Sequence, residues 1–299
     1  MNIRALLWTL AVASVLTLSG CKGESNNTPA VPPQPTNPAE QQLPVLPPKR
    51  RNNLYFGYFG AEDSQAEEVI DHVNMWFEPS WGGLEVGIRH MQKAQLPTIF
   101  VLDQWIYLGN PRVYVGTEKA KEVLRGVFTR MREANVLKYV VALYPIDEPD
   151  IKENDISSDV IIAVNNDLRA ISTEFPELKD IKLCVTYGGN EDYRAVESYD
   201  WIGFDDYGAK EQIFTNGKYD RLKSRLHSSQ RITLFPGGCA PWYQDPKPFY
   251  LKAIEDEQVI AIIPFIWIDN AAGSTNPGIR TACPDAYREV GKLVKGPWA

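Results

Sequence analysis

Histidine is scarce: three in 299 residues, too few for a His-rich metal centre. No apolar run approaches the roughly 20 residues that span a bilayer, which excludes a transmembrane bundle. Basic residues are outnumbered, 31 to 38, and the net charge is −7. That balance argues against a nucleic-acid binder, because phosphate contacts need clustered Lys and Arg. There is no G-x-G-x-x-G and no Walker loop. Cysteines number four, so the chain is no disulfide scaffold. No cofactor and no metal are expected.

The N-terminus reads as an address. Arg4 supplies a positive start, and residues 5–18 form a run of apolar and small residues with two threonines, too short to span. It ends in Leu18-Ser19-Gly20-Cys21, which resembles a bacterial lipoprotein signal. The resemblance implies removal of residues 1–20 and acylation of the Cys21 thiol. Lys22 stands where an aspartate often marks inner-membrane retention, so it also implies an outer-membrane anchor, facing the periplasm or the cell surface. Residues 22–52 carry eight prolines (Pro29, Pro32, Pro33, Pro35, Pro38, Pro44, Pro47 and Pro48) among Asn, Gln and Thr. Such a segment buries too little apolar surface to repay ordering and favours extended polyproline II. It is expected to be a tether, residues 21–52 with the lipidated cysteine.

The remaining residues, 53–299, match the length of an eight-fold β/α barrel, about 250 residues. Short apolar runs alternate with segments of helical period, which predicts parallel strands joined by crossover helices. Strands are expected near 53–59, 72–77, 97–103, 138–145, 181–187, 201–206, 231–236 and 259–268. Helices are expected near 63–71, 82–95, 117–135, 157–174, 191–198, 209–227, 247–257 and 284–295. The third helix shows the period best, with Val123, Leu124, Val127, Phe128, Met131 and Ala134 on one stripe. A doubly wound open sheet is the alternative. A monomer is expected.

In a barrel of this class, chemistry sits at the C-terminal strand ends. Carboxylates and rings gather there in this sequence: Glu78 and Trp81 after strand two, Asp103 and Trp105 after strand three, Asp147, Glu148 and Asp150 after strand four. Tyr187 ends strand five, Asp205, Asp206 and Tyr207 follow strand six, and Trp267 and Asp269 close strand eight. Flat rings stack on sugar C–H faces while acids accept hydroxyl hydrogen bonds, so the expected ligand is an oligosaccharide or polysaccharide. Glu78, Trp81, Asp103, Trp105, Tyr187, Tyr207, Trp267 and Asp269 are the expected substrate contacts. Cleavage of a glycosidic bond needs a carboxylic acid and usually a second carboxyl group. Glu148 is the expected general acid, its pKa raised by Asp147 and Asp150 beside it. Asp147, Asp205 and Asp206 are candidates for the second role. No strand end carries a lysine, which argues against Schiff-base chemistry, and the histidines fall before strands or in a helix, which removes a Ser-His-Asp triad.

The run Tyr144-Pro145-Ile146-Asp147-Glu148-Pro149 resembles the strand-four motif of barrel glycoside hydrolases of the cellulase superfamily, where Asn-Glu-Pro holds the acid/base glutamate. Trp267 resembles the tryptophan that floors their site. Asp147 replaces the asparagine. Leu234-Phe235-Pro236-Gly237-Gly238 lacks the glutamate which that superfamily places at the end of strand seven. The Asp147-Glu148 pair also resembles hexosaminidase-type families, in which the aspartate orients a 2-acetamido group that itself attacks; Tyr207 would then donate to the acetamido oxygen. Inversion, with Asp205 or Asp206 as base, is a third scheme. A non-catalytic sugar-binding lipoprotein on the same scaffold is the rival reading, and an envelope scaffold a third. Cys184 is expected as a buried thiol, and Cys239 and Cys283 as a disulfide between neighbouring loops.

Overall fold

The computed structural model describes residues 53–79, 81–109, 111–151, 154–188, 191–238, 242–270 and 275–296. The leader, the tether, Cys21 and Cys239 lie outside the described residues.

Eight parallel strands form the core: β1 Tyr55–Phe56, β2 Trp76–Glu78, β3 Thr98–Val101, β6 Val140–Tyr144, β7 Lys182–Tyr187, β8 Trp201–Phe204, β9 Arg231–Leu234 and β10 Val259–Ile262. Their order in the sheet is β1-β10-β9-β8-β7-β6-β3-β2. The two edges then meet. Asn74 N and Met75 N donate to Phe56 O, and Phe59 pairs in parallel with Phe77. Neighbours in space are neighbours in sequence, the arrangement of a (β/α)8 barrel.

The helices follow their apolar stripes. In α4, Thr117–Glu133, the buried face is Ala120, Leu124, Val127, Phe128 and Met131. The helix α5, Ser158–Ser172, starts where Ser157 Oγ accepts from Val160 N. The helix α7, Pro246–Glu255, starts with Asp245 accepting from Lys247 N and Pro246 at its first position. The remaining helices are the short α1 Ala66–Val69 and α8 Ile279–Ala282 and the longer α2 Leu84–Ala94, α6 Lys218–Arg225 and α9 Pro284–Lys295, with the one-turn α3 below.

Several expectations fail for local reasons, among them the helix expected over 209–227, which forms only as a 3-10 stretch at Tyr207–Gln212 and α6 Lys218–Arg225. The helix expected over 191–198 is a single 3-10 turn at Val196–Ser198. Only Ala195 and Val196 are buried there, too few for an apolar stripe, and its charges are held in ion pairs (Arg194 to Asp155 and Asp192, Glu191 to Arg221). The last strand stops at Ile262 rather than 268, because Pro264 has no N–H for the ladder. Strand three stops at Val101. Asp103 opens a one-turn helix, α3 Asp103–Ile106, which leads into an unforeseen hairpin of β4 Tyr107–Leu108 and β5 Val113–Tyr114.

Candidate active site

Side chains alternate across a strand, so parity decides which strand-end residues face the barrel interior. Phe77, Ile99, Val101, Ala142, Tyr144 and Cys184 pack together inside. Trp76, Phe100, Leu143, Leu183, Val185, Ile202 and Phe204 pack outward under the helices. Phe204 faces outward, so Asp205 turns inward. Phe77 faces inward, so Glu78 turns outward.

The inward-facing acids gather. Asp147 accepts from Tyr144 Oη at 2.5 Å and forms a parallel bridge with Thr186. Glu148 sits at φ 42°, a left-handed conformation that costs a non-glycine residue of order 1 kcal/mol or more. Three hydrogen bonds hold it: Glu148 N to Thr186 O at 3.1 Å, and Asn154 Nδ2 to the carbonyls of Asp147 at 2.8 Å and Glu148 at 3.1 Å. A Cβ on Gly188 would lie 2.9 Å from Glu148 Oε1, so glycine is what lets that carboxyl rest against β7. Asp150 is buried and accepts from Gly188 N at 3.0 Å, while its Oδ2 has no hydrogen-bond partner among the described residues.

Asp205 completes the group from β8. It is 6% exposed. Burial first, and then the charges of Glu148, Asp147, Asp150 and Asp206, hold its pKa well above the ordinary aspartate range. The register brings these acids to adjoining strand ends: Asp147 pairs with Thr186 of β7, and Thr186 and Tyr187 pair with Gly203 and Phe204 just before Asp205. Burial also raises Asp147, with Asp103 adding to it and Tyr144 and Arg112 opposing. Both shifts run upward, the direction that keeps a proton on a carboxyl to higher pH, as acid–base chemistry requires.

Rings border the acids. Trp81 is 43% exposed and packs on Phe59 at 5.8 Å; Phe59 meets Phe265 edge-on at 5.1 Å; Phe265 stacks on Tyr207 at 5.9 Å. This arc runs from the end of β2 across β1 and β10 to β8. Phe59 and Phe265 were not foreseen as part of it, although both fall at strand ends.

Other expected contacts lie elsewhere. Glu78 is fully buried outside the barrel wall, where its Oε2 accepts from Trp76 Nε1 at 3.1 Å and lies 2.8 Å from His90 Nδ1. Tyr187 is buried outward and donates to Arg194 O at 2.7 Å. Trp267 is 0% exposed and packed against Tyr58 at 4.4 Å, so it offers no face to a sugar. Trp105 stacks on outward-facing Phe100 at 5.4 Å. Asp269 accepts from Gly278 N and Thr281 Oγ1, both at 2.7 Å, and so braces a loop. Asp206 is tied to Lys218 at 3.1 Å and Asn216 at 2.8 Å. Asp103 is tied to Arg112 of the hairpin at 2.5 Å. Arg112 had no sequence signal, because the hairpin had none.

The end of β9, where the cellulase superfamily keeps its nucleophile, is closely packed by backbone on one side and a side chain on the other. A Cβ on Gly237 would lie 2.0 Å from Trp242 O, and one on Gly238 would lie 2.1 Å from Ile279 Cγ1. Two polar cavities of about 380 and 400 Å³ lie away from the acids, one lined by Glu191, Arg194, Arg225 and His227, the other by Tyr219, Lys223, Lys252 and Asp256. Among the described residues, no group of three or more His, Cys, Asp or Glu side chains is placed to hold a metal ion.

No family model matches the chain, and no curated protein matches it. Solved structures of similar fold include a Bacteroides uniformis beta-glucuronidase, 11% identical over 76% of this chain and 31% of that one, TM-score 0.49. Another is a beta-glucuronidase from an uncultured Clostridium sp., 15% identical over 71% and 43%, TM-score 0.45. A third is an oxaloacetate acetylhydrolase, 10% identical over 71% and 74%, TM-score 0.45. The chain spans 29 to 43% of the length of the first glucuronidases it resembles.

Proposed function

We propose that this protein is a glycoside hydrolase with Glu148 as general acid. The observation that carries the reading is the placement of Asp147, Glu148 and Asp205 at adjoining strand ends: Asp147 pairs with Thr186, a Cβ on Gly188 would lie 2.9 Å from Glu148 Oε1, and Asp205 follows Phe204, the partner of Tyr187. Glu148 is half-buried and Asp205 buried, so Glu148 is the member that reaches a glycosidic oxygen. Its proton goes to the leaving oxygen as the C–O bond breaks. In the substrate-assisted scheme Asp205 is a positioning residue, because a second carboxyl nearby opposes ionisation of Glu148. Asp147, fixed by the Tyr144 hydroxyl, orients the substrate or an acetamido group on it. The aromatic arc carries the sugar rings.

A retaining route through β9 finds no carboxylate. That leaves substrate-assisted catalysis, or inversion with Asp205 as base. The empty β9 end is also what favours the second reading, a sugar-binding protein without turnover. One experiment separates them: hydrolysis of a glycan panel by the parent and by Glu148→Gln, with binding measured alongside. The enzyme reading expects a loss of about 10²–10⁴-fold in turnover with binding kept. Equal turnover in both removes Glu148 as the acid, and binding without turnover in the parent favours the second reading.

The same proposal places the barrel on an outer-membrane lipid anchor through Cys21, with residues 22–52 as the tether. Release of Cys21→Ala into the soluble fraction tests it. A Cys239–Cys283 disulfide is part of the proposal, and non-reducing peptide mapping that recovers the two cysteines separately would reject it.

A further inference from the structure

Thr186 of β7 joins the two acids that follow β6. Asp147 pairs with it in parallel, and Glu148 N donates to its carbonyl oxygen at 3.1 Å. Its side chain lies two residues on from inward-facing Cys184 and so faces the barrel interior, where it is buried. The hydroxyl reaches across β8. A Cβ on Gly203, the residue paired with Thr186, would lie 2.2 Å from Thr186 Oγ1, so the hydroxyl occupies the place that any other side chain at 203 would need.

Thr186 Oγ1 has no hydrogen-bond partner among the described residues. Valine has nearly the same shape, suits a strand as well, and buries no polar atom. A threonine whose hydroxyl stands unpaired beside two acids is therefore a poor structural choice and a reasonable functional one. The acceptor at hand is Tyr144, whose ring is buried in the same interior and whose Oη donates to Asp147 Oδ1 at 2.5 Å. A hydroxyl that donates once can still accept. Burial first, and then the charge of Asp147, push the Tyr144 pKa up, and the Thr186 hydroxyl opposes them, as a donor close to Oη does. Hydrogen bonds of this kind are often long or misaligned in an unliganded site, and in a chain of them each donor strengthens the next.

Resting on the glycosidase reading above, we infer that Thr186 is a positioning residue for Asp147: its hydroxyl donates to Tyr144 Oη and so strengthens the hydrogen bond by which Tyr144 holds that carboxylate.

The test is carbon-13 NMR titration of the Asp147 carboxyl in the full chain, in the parent and in Thr186→Val, Thr186→Ser and Thr233→Val, with turnover of cello- and chito-oligosaccharides measured alongside. Asp103, Asp150, Asp205 and Arg112 also act on Asp147, and none of these variants changes them. A hydrogen bond to the ionised form lowers a carboxyl pKa, so Thr186→Val is expected to raise the Asp147 midpoint by about 0.5 pH unit and Thr186→Ser to restore it. Thr233 is the control. Its Oγ1 is likewise buried and without a partner among the described residues, on the other side of Gly203, but the next inward residue on its strand is Phe235 and not an acid. Thr233→Val is expected to leave Asp147 unmoved. Should Thr186→Val fold poorly, Thr186→Ala removes the same hydroxyl and reads the same midpoint. An Asp147 midpoint unmoved by the Thr186 variants, or moved equally by Thr233→Val, overturns this inference and leaves the glycosidase reading standing. A midpoint raised by Thr186→Val in a chain that cleaves no glycan of the panel supports the hydrogen-bond chain and counts against the glycosidase reading.

Discussion

Glu78 and Asp205 each stand at the C-terminal end of a barrel strand, and both are buried, yet they live in opposite environments. Glu78 lies outside the wall with His90 and Trp76 Nε1 against its carboxylate. Asp205 follows outward-facing Phe204 and so lies inside, where burial and neighbouring acids hold its pKa up. One is a satisfied polar contact between strand and helix; the other is a group whose protonation the fold holds in tension. A buried charge is retained cheaply when it is paired, and at a stability cost when it is not. The same contrast separates Trp267, sealed between strands and helices, from Trp81, exposed at the rim.

The contrast can be broken by substitution, and the largest effects belong to the sealed side. Trp267→Ala should cost about 3–5 kcal/mol of unfolding free energy through the cavity it leaves, read by denaturant titration. Glu78→Ala strands a buried histidine and should cost about 3 kcal/mol in the same measurement, with turnover per folded molecule unchanged. Trp81→Ala is the counterpart. It should leave the unfolding midpoint within experimental spread and weaken glycan binding by about 1 kcal/mol, as titration calorimetry would show. A Trp81 variant that unfolds early, or a Trp267 variant that folds normally and loses only sugar binding, would reverse the assignment.

Smaller effects come from protonation. Between its unfolded and its raised folded pKa, Asp205 keeps a proton that the unfolded chain has lost, so it destabilises the fold increasingly as pH rises through that window. Asp205→Asn should therefore raise stability relative to the parent within that window, while moving the alkaline limb of the pH–rate profile to lower pH, because the remaining acid then titrates without a second ionisable carboxyl beside it. His72 is the opposite case. It is buried against Tyr58 Oη at 3.0 Å, beside Asp71, and burial pushes its imidazole pKa down. Below about pH 6.5 the unfolded chain takes a proton that the folded chain refuses, so stability should fall there, at no more than about 1.4 kcal/mol per pH unit. His72→Gln should flatten that slope in urea titrations between pH 5 and 7.

The barrel was legible because its strands are short, apolar and evenly spaced by helical stripes such as Leu124, Val127, Phe128 and Met131. The site was legible only as a list of strand ends. Its division into inward and outward residues was written in the alternation: Phe77 inside makes Glu78 outside, and Phe204 outside makes Asp205 inside. Counting parity along each strand would have removed Glu78 and Tyr187 from the substrate contacts. Trp267 could not be sorted that way, because the ladder stops at Ile262 and Pro264 redirects the chain before the ring is reached. Nor could the pairing of Asp103 with Arg112, since it depends on a hairpin whose strands are two residues each. Such short strands leave almost no period to read.

The central claim is that acids from the ends of β6 and β8 share one space and one pool of protons. Carbon-13 NMR titration of the Asp205 carboxyl, in the parent and in Glu148→Gln, tests it most directly. The account predicts a midpoint well above that of an ordinary aspartate, moving down when the Glu148 charge is removed. A midpoint in the ordinary range, unmoved by Glu148→Gln, would contradict it.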